Sequence, residues 1–98
     1  MAKISLEIIP WLAETLGMER QSDEFVPDDR VFPVSDLLDR LAGKYPRFSD
    51  IVFDINAQRL TGRTLVFLNG TNIEILDGLE TGLQDGDVIN LVPVVEGG

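Results

Sequence analysis

Ile4, Leu6 and Ile8 alternate with Lys3, Ser5 and Glu7, the two-residue period of a strand with one face buried. Pro10 removes a ladder donor and is expected to end this strand, leaving Trp11, Leu12 and Leu16 as an apolar patch ahead of a turn at Gly17. Gln21 to Val26 reads as a second strand hairpinned onto the first, and Pro27-Asp28-Asp29-Arg30 as a turn. The period then changes. Val34, Leu37, Leu38, Leu41 and Tyr45 recur at three- and four-residue intervals, so they line one face of the main helix. Ser35 and Asp36 can cap or charge-complement its first turn, Lys44 sits near its end and Pro46 stops it. Gly43 is expected to fray the last turn, at a cost of about 1 kcal/mol against Ala.

Phe48 to Gly62 shows no clean period and is expected to be an irregular excursion. Thr64 to Leu68 is a strand by its β-branched and aromatic content, and Asn69-Gly70 suits a tight hairpin turn that needs positive φ. Asn72 to Ile75 would return along that strand. Asp77-Gly78 and Asp85-Gly86-Asp87 read as turns, and Val88 to Val92 as the last strand, with Pro93 ending the ladder. Hairpin, helix and further strands form an α+β order, and a right-handed crossover through the helix places a later strand parallel to the first. The expected architecture is a ubiquitin-like β-grasp, a mixed sheet packed on one main helix. It occupies residues 1–93, with residues 94–98 as a flexible tail ending in Gly-Gly.

At 98 residues the chain can bury one core but not two. It has no Cys and no His, which removes disulfides, thiolate nucleophiles, cysteine-ligated metals and the commonest general base. No apolar run approaches the roughly 20 residues that span a bilayer, and the first residues open directly into a strand pattern instead of a signal peptide. A soluble, cytoplasmic protein is expected. Seventeen acidic against eight basic residues give a net charge of −9, which disfavours nucleic acid and favours a partner with a basic docking face. Such acidity can also serve solubility alone.

Asp28-Asp29 and Asp85-x-Asp87 have no calcium-site spacing and read as turn residues, so no metal is expected. Trp11, Phe25 and Phe67 lack basic neighbours and read as core or protein-interface residues, not a base-stacking platform. The candidate chemistry lies at the C-terminus. Gly97 and Gly98 carry no side chains, so they suit a narrow channel, and a terminal carboxylate is a competent nucleophile toward the α-phosphate of ATP. Taken alone, two terminal glycines are more often an inert end.

The whole ending, Asp85 to Gly98, with its Asp-Gly-Asp turn, apolar strand, proline and final Val-x-Gly-Gly, resembles the small-subunit family of molybdopterin synthase and its thiamine-pathway relatives (the MoaD/ThiS type). Leu65 to Gly70 is similar to the family's strand before an Asn-Gly turn, and Val34 to Pro46 to its long helix ending in Tyr-Pro. The resemblance implies a sulfur carrier whose last glycine, Gly98, is adenylated and then thiocarboxylated. The chain itself would bind no cofactor; ATP and magnesium would be used by a ubiquitin-activating-like adenylyltransferase. The sulfur would pass to a larger catalytic subunit such as that of molybdopterin synthase, which makes this chain a non-catalytic carrier subunit rather than a stand-alone enzyme. Gly97 and Val95 match the tail that enters the enzyme. Val92 and Pro93 match the strand end that packs on partners, and Val94 extends that apolar end. Pro93-Val94 stands where many molybdopterin-type members have two prolines, and the added length between Tyr45 and Leu65 resembles cysteine-pathway and archaeal carriers. Molybdopterin, cysteine and thiamine pathways therefore stay open, as does a ubiquitin-like modifier conjugated through Gly98.

Overall fold

The structure, a computed structural model, describes residues 1–27 and 30–94. Asp28 and Asp29, expected in a turn, lie outside the described residues. Strand β1 (Ala2–Ile8) buries its even positions, as its alternation dictates. It is followed not by a loop but by helix α1 (Pro10–Leu16). Pro10 ends the strand by opening a helix: at the first helical position its missing N–H costs nothing. Gly17, at φ 75°, closes the helix by donating to Glu14 O, while Met18 donates to Ala13 O. Leu12, Ala13 and Leu16 go into the core, but Trp11 stays outside, 57% exposed.

Strand β2 (Gln21–Val26) pairs antiparallel with β1, and the two-residue β3 (Phe32–Pro33) leads into α2 (Val34–Lys44), the expected main helix. Its first turn has no side-chain cap, contrary to the reading of Ser35 and Asp36; Pro33 stands at the cap position and Val34 N–H donates to Thr81 O at 2.8 Å. Asp36 keeps the role of an acidic first-turn residue. Gly43 does not fray the end, since the helix runs to Lys44 and closes with Tyr45 N–H on Leu41 O at 2.9 Å.

The segment expected to be irregular is ordered. Pro46 stops α2 and starts α3 (Pro46–Ile51), after which β4 (Phe53–Asp54) and β5 (Arg59–Leu60) form a small hairpin. Asp54 Oδ1 accepts from the N–H groups of Asn56 and Ala57, and the carbonyl of Ile51 accepts from both Thr61 and Thr64 hydroxyls. Phe48, Val52 and Phe53 are fully buried, so the excursion supplies part of the core. Strand β6 (Thr64–Leu68) turns at Asn69 and Gly70, both at positive φ, into β7 (Thr71–Asn72). The return strand is shorter than expected because Asn72 caps a 3₁₀ turn at Ile73–Ile75 through Glu74 N–H. A second 3₁₀ turn, Gly78–Glu80, precedes β8 (Gly82–Leu83), which pairs with β3, and β9 (Val88–Pro93) completes the fold.

The main sheet has five strands in the order β2-β1-β9-β6-β7, with β1 and β9 parallel. This is the mixed sheet of a ubiquitin-like β-grasp. Its inner face packs on α2 through Ile4, Leu6, Ile89 and Leu91 against Leu37, Leu38 and Leu41, all at most 1% exposed. No helix among the described residues is long and apolar enough to cross a membrane. Glu24, opposite Ile4 in the β1–β2 register, is 6% exposed and turns toward α2. Its carboxylate lies 2.9 Å from Lys44 Nζ and 3.5 Å from an Arg40 guanidinium nitrogen, tying the helix to the sheet edge. Because a hydrogen bond to a charged group contributes about 1.5–3 kcal/mol when buried, and both bases here remain partly exposed, Glu24→Gln is expected to lower unfolding free energy by roughly 1–2 kcal/mol. Urea titration checks this against Asp23→Asn, which should stay within about 0.5 kcal/mol as an exposed change.

Candidate functional site: the open sheet face and the end of β9

Among the described residues no helix covers one face of the sheet. The outward positions of β9 are Val88, Asn90 and Val92, and the register sets Val92 beside Leu65 and Asn90 beside Phe67 on β6. Leu65, Phe67 and Val92 are half-buried and form an apolar strip. On the other flank Asn90 Nδ2 donates to Glu7 Oε2 at 2.8 Å, and Ser5 Oγ to Asp23 Oδ1 at 3.2 Å. A groove of about 680 Å³ runs beside the strip, lined by Ile9, Pro10, Glu19, Arg20, Asn90 and Val92 among others. Its lining on β9, Asn90 to Val92, lies near the end of that strand.

Pro93 does not end the ladder. It lies opposite Thr64, and Val94 N–H still donates to Arg63 O at 2.9 Å. The hydrogen-bonded pairs of this ladder include Arg63–Val94 and Asn69–Val88, so the alternation turns the missing N–H of Pro93 away from β6. Val92 and Pro93 are half-buried and Val94 is 41% exposed. These three expected interface positions therefore meet at one end of the sheet. Val95, Gly97 and Gly98 lie outside the described residues. The sequence reading missed Leu65 and Ile9 as members of this face and gave Phe67 only as a core or protein-interface residue; the two-residue alternation of β6 was the available signal, but only the register sets it beside Val92. Trp11 and Phe25, at 57% and 52% exposure, are surface residues, and Phe67 is half-buried on the open face.

The far end of β9 is clasped by the Asp85-Gly86-Asp87 turn. Asp85 Oδ1 accepts from Lys3 N–H at 2.8 Å, Gly86 N–H donates to Lys3 O at 2.9 Å, and Ser5 N–H donates to Asp87 O at 3.0 Å. Asp87 spends its carboxylate on Gln84 N–H and the Asn69 amide, whose own oxygen accepts from Val88 N–H. Gly86 sits at φ 92°, where a side chain would be strained. Both carboxylates thus accept from N–H groups of the chain, main-chain ones and the Asn69 amide, and no group of three metal-ligating side chains occurs among the described residues.

Charge is distributed unevenly. Residues 64–98 hold six of the 17 acidic residues and none of the eight basic ones, so they carry −6 of the −9. Strand β9 thus belongs to the more acidic part of the chain.

The ThiS family model matches residues 7–98. The chain belongs to the ThiS family. Among solved structures it is similar to the small archaeal modifier protein 1 from Methanosarcina acetivorans, with 31% identity, TM-score 0.77 and coverage of 100% of this chain and 98% of that one. A provisionally assigned molybdopterin converting factor subunit 1 from Pyrococcus furiosus shares the fold at 18% identity and TM-score 0.71, covering 97% of this chain and all of that one. A provisionally assigned sulfur carrier of Archaeoglobus fulgidus is 46% identical over 33 residues, which span 34% of this chain and 38% of that relative.

Since the clasp is built on Asp87, Asp87→Ala should lower stability by about 1–2 kcal/mol, the range for losing hydrogen bonds that water partly replaces. Urea unfolding checks this. Calcium or magnesium should leave the melting temperature of the unaltered protein unchanged, whereas a metal-dependent rise would show that these carboxylates bind a cation.

Proposed function

We propose that this chain is a sulfur carrier that works through the carboxylate of Gly98. A ubiquitin-activating-like adenylyltransferase, using ATP and magnesium, joins that carboxylate to the α-phosphate and releases pyrophosphate. A sulfide-equivalent nucleophile then attacks the acyl carbon, AMP leaves, and a thiocarboxylate results. The observation that carries the reading is the extension of the ThiS family match through residue 98, which includes Gly97-Gly98. A chain without Cys or His also has little side-chain chemistry with which to hold sulfur. Gly97, with no Cβ, lets the tip enter a narrow channel, and Val95 is the tail side chain closest to it in sequence that can make an apolar contact there.

The domain acts as the handle. Val92, Pro93 and Val94, continued by Leu65 and Phe67, form the surface offered to the activating enzyme and to a larger acceptor subunit. The acceptor we favour is the large subunit of a molybdopterin synthase, on the resemblance of Asp85 to Pro93; cysteine and thiamine pathways are the alternatives, on Pro93-Val94 and the added length before Leu65. The compartment is the cytoplasm, where ATP and such enzymes meet the carrier. A modifier joined through Gly98 to protein lysines is the second reading, favoured by the full-length similarity to the Methanosarcina modifier. Both readings begin with the same adenylate.

ATP–pyrophosphate exchange with the activating enzyme of the same organism tests this. Deleting Gly98 withdraws the carboxylate by about 3.5 Å and should abolish exchange, with unfolding free energy changed by no more than about 0.5 kcal/mol. Undiminished exchange in the truncated chain would show that Gly98 is not the reactive terminus. Val94→Asp should remain folded and raise the KM for the carrier about 30-fold, the equivalent of an anchor residue worth about 2 kcal/mol. An unchanged KM would remove Val94 from the docking surface.

A further inference from the structure

Lys3 and Lys44 are the two lysines of the chain, and the fold treats them in opposite ways. Lys44 Nζ lies 2.9 and 3.2 Å from the two carboxylate oxygens of the buried Glu24 and 5.8 Å from the centre of the Tyr45 ring. For Nζ to act as a nucleophile it must first leave that paired position. Lys3 has its main chain clamped, by Asp85 on its N–H and Gly86 on its carbonyl, while its side chain is exposed on the open sheet face opposite Phe25. Its ammonium group makes no ion pair among the described residues.

We propose that Lys3 is an acceptor site at which a second copy of this chain is joined through its Gly98, giving a linear head-to-tail conjugate. The proposal rests on adenylation of Gly98 and extends the modifier reading. In the step, neutral Lys3 Nζ attacks the adenylated Gly98 carbonyl, the C–N bond forms, the acyl–phosphate bond breaks, AMP leaves and the amine proton goes to solvent.

The geometry requires two copies. Because β1 and β9 run parallel, Lys3 lies at the start of the pair, level with residue 86, and Val94 lies eight positions further along. Eight residues of strand span about 26 Å. The four residues after Val94 reach at most about 14 Å, and a lysine stem, shorter than two residues of extended chain, does not close the difference. A chain cannot join its own Lys3, so the contact is between different surfaces of two molecules and leaves each end open for another.

The test incubates the full chain with ATP, magnesium and the activating enzyme of the same organism, measuring pyrophosphate exchange and covalent dimer in parallel. Glu96 immediately precedes Gly97-Gly98, so digestion with a glutamyl endopeptidase leaves a Gly-Gly remnant on the acceptor amine. The expected result is dimer carrying that remnant on Lys3, lost in Lys3→Arg, which keeps the charge but has no deprotonated nitrogen to attack, and retained in Lys44→Arg, with exchange intact in both. Exchange without dimer, or a remnant on Lys44 or the Met1 amine instead, overturns the Lys3 site and leaves the adenylation reading standing. Absent exchange in the unaltered protein overturns both.

Discussion

The parallel pairing of β1 with β9 is the contact on which the rest of the molecule depends. Ser5 to Ile8 lie alongside Val88 to Leu91, so the first strand and the last form the middle of the sheet, with β2 and β6 on either side. A parallel pair cannot be closed by a tight turn and needs a covered crossover. Here the crossover includes α2, whose Leu37, Leu38 and Leu41 fill the space against Ile4, Leu6, Ile89 and Leu91. The Asp85-Gly86-Asp87 clasp fixes the register at one end, and the Arg63–Val94 hydrogen bond holds the other. Val94, the last described residue, is thereby fixed relative to the sheet.

This arrangement separates two tasks. The core and the Glu24–Lys44 tie maintain the fold on one face of the sheet. The opposite face keeps Leu65, Phe67 and Val92 half-exposed near the end of β9. A chemical step on a terminal carboxylate asks little of the carrier itself: its domain must be recognised and its end must reach. The stretch after Arg63 carries acidic but no basic residues, a charge that would favour a basic partner at long range.

The elements legible in the sequence are those long enough to show a period. β1 and β6 alternate, α2 repeats at three and four residues over three turns, and Asn69-Gly70 announces its turn. α1 and α3, with seven and six residues, complete fewer than two turns each, so Leu12, Leu16 and Phe48 gave no readable stripe. In both, the proline was read as a stop when it also begins a helix. Pro93 misled for a related reason: whether a proline breaks a ladder depends on which neighbour its nitrogen faces, and that is a property of the register. The open face is likewise visible only once β6 and β9 are paired. The terminal Gly97-Gly98, by contrast, is a feature of sequence alone, because the chemistry proposed for it needs no side chain.

The central claim is that the reactive group of this protein is its own C-terminal carboxylate. It is tested most directly by mass spectrometry of the intact chain and of its C-terminal peptide after incubation with the activating enzyme, ATP, magnesium and a sulfur donor. The account predicts a gain equal to one oxygen exchanged for sulfur, dependent on ATP and confined to the peptide that ends at Gly98. A C-terminal peptide of unchanged mass under conditions where the same enzyme activates its other carriers, or sulfur found elsewhere in the chain, would contradict it.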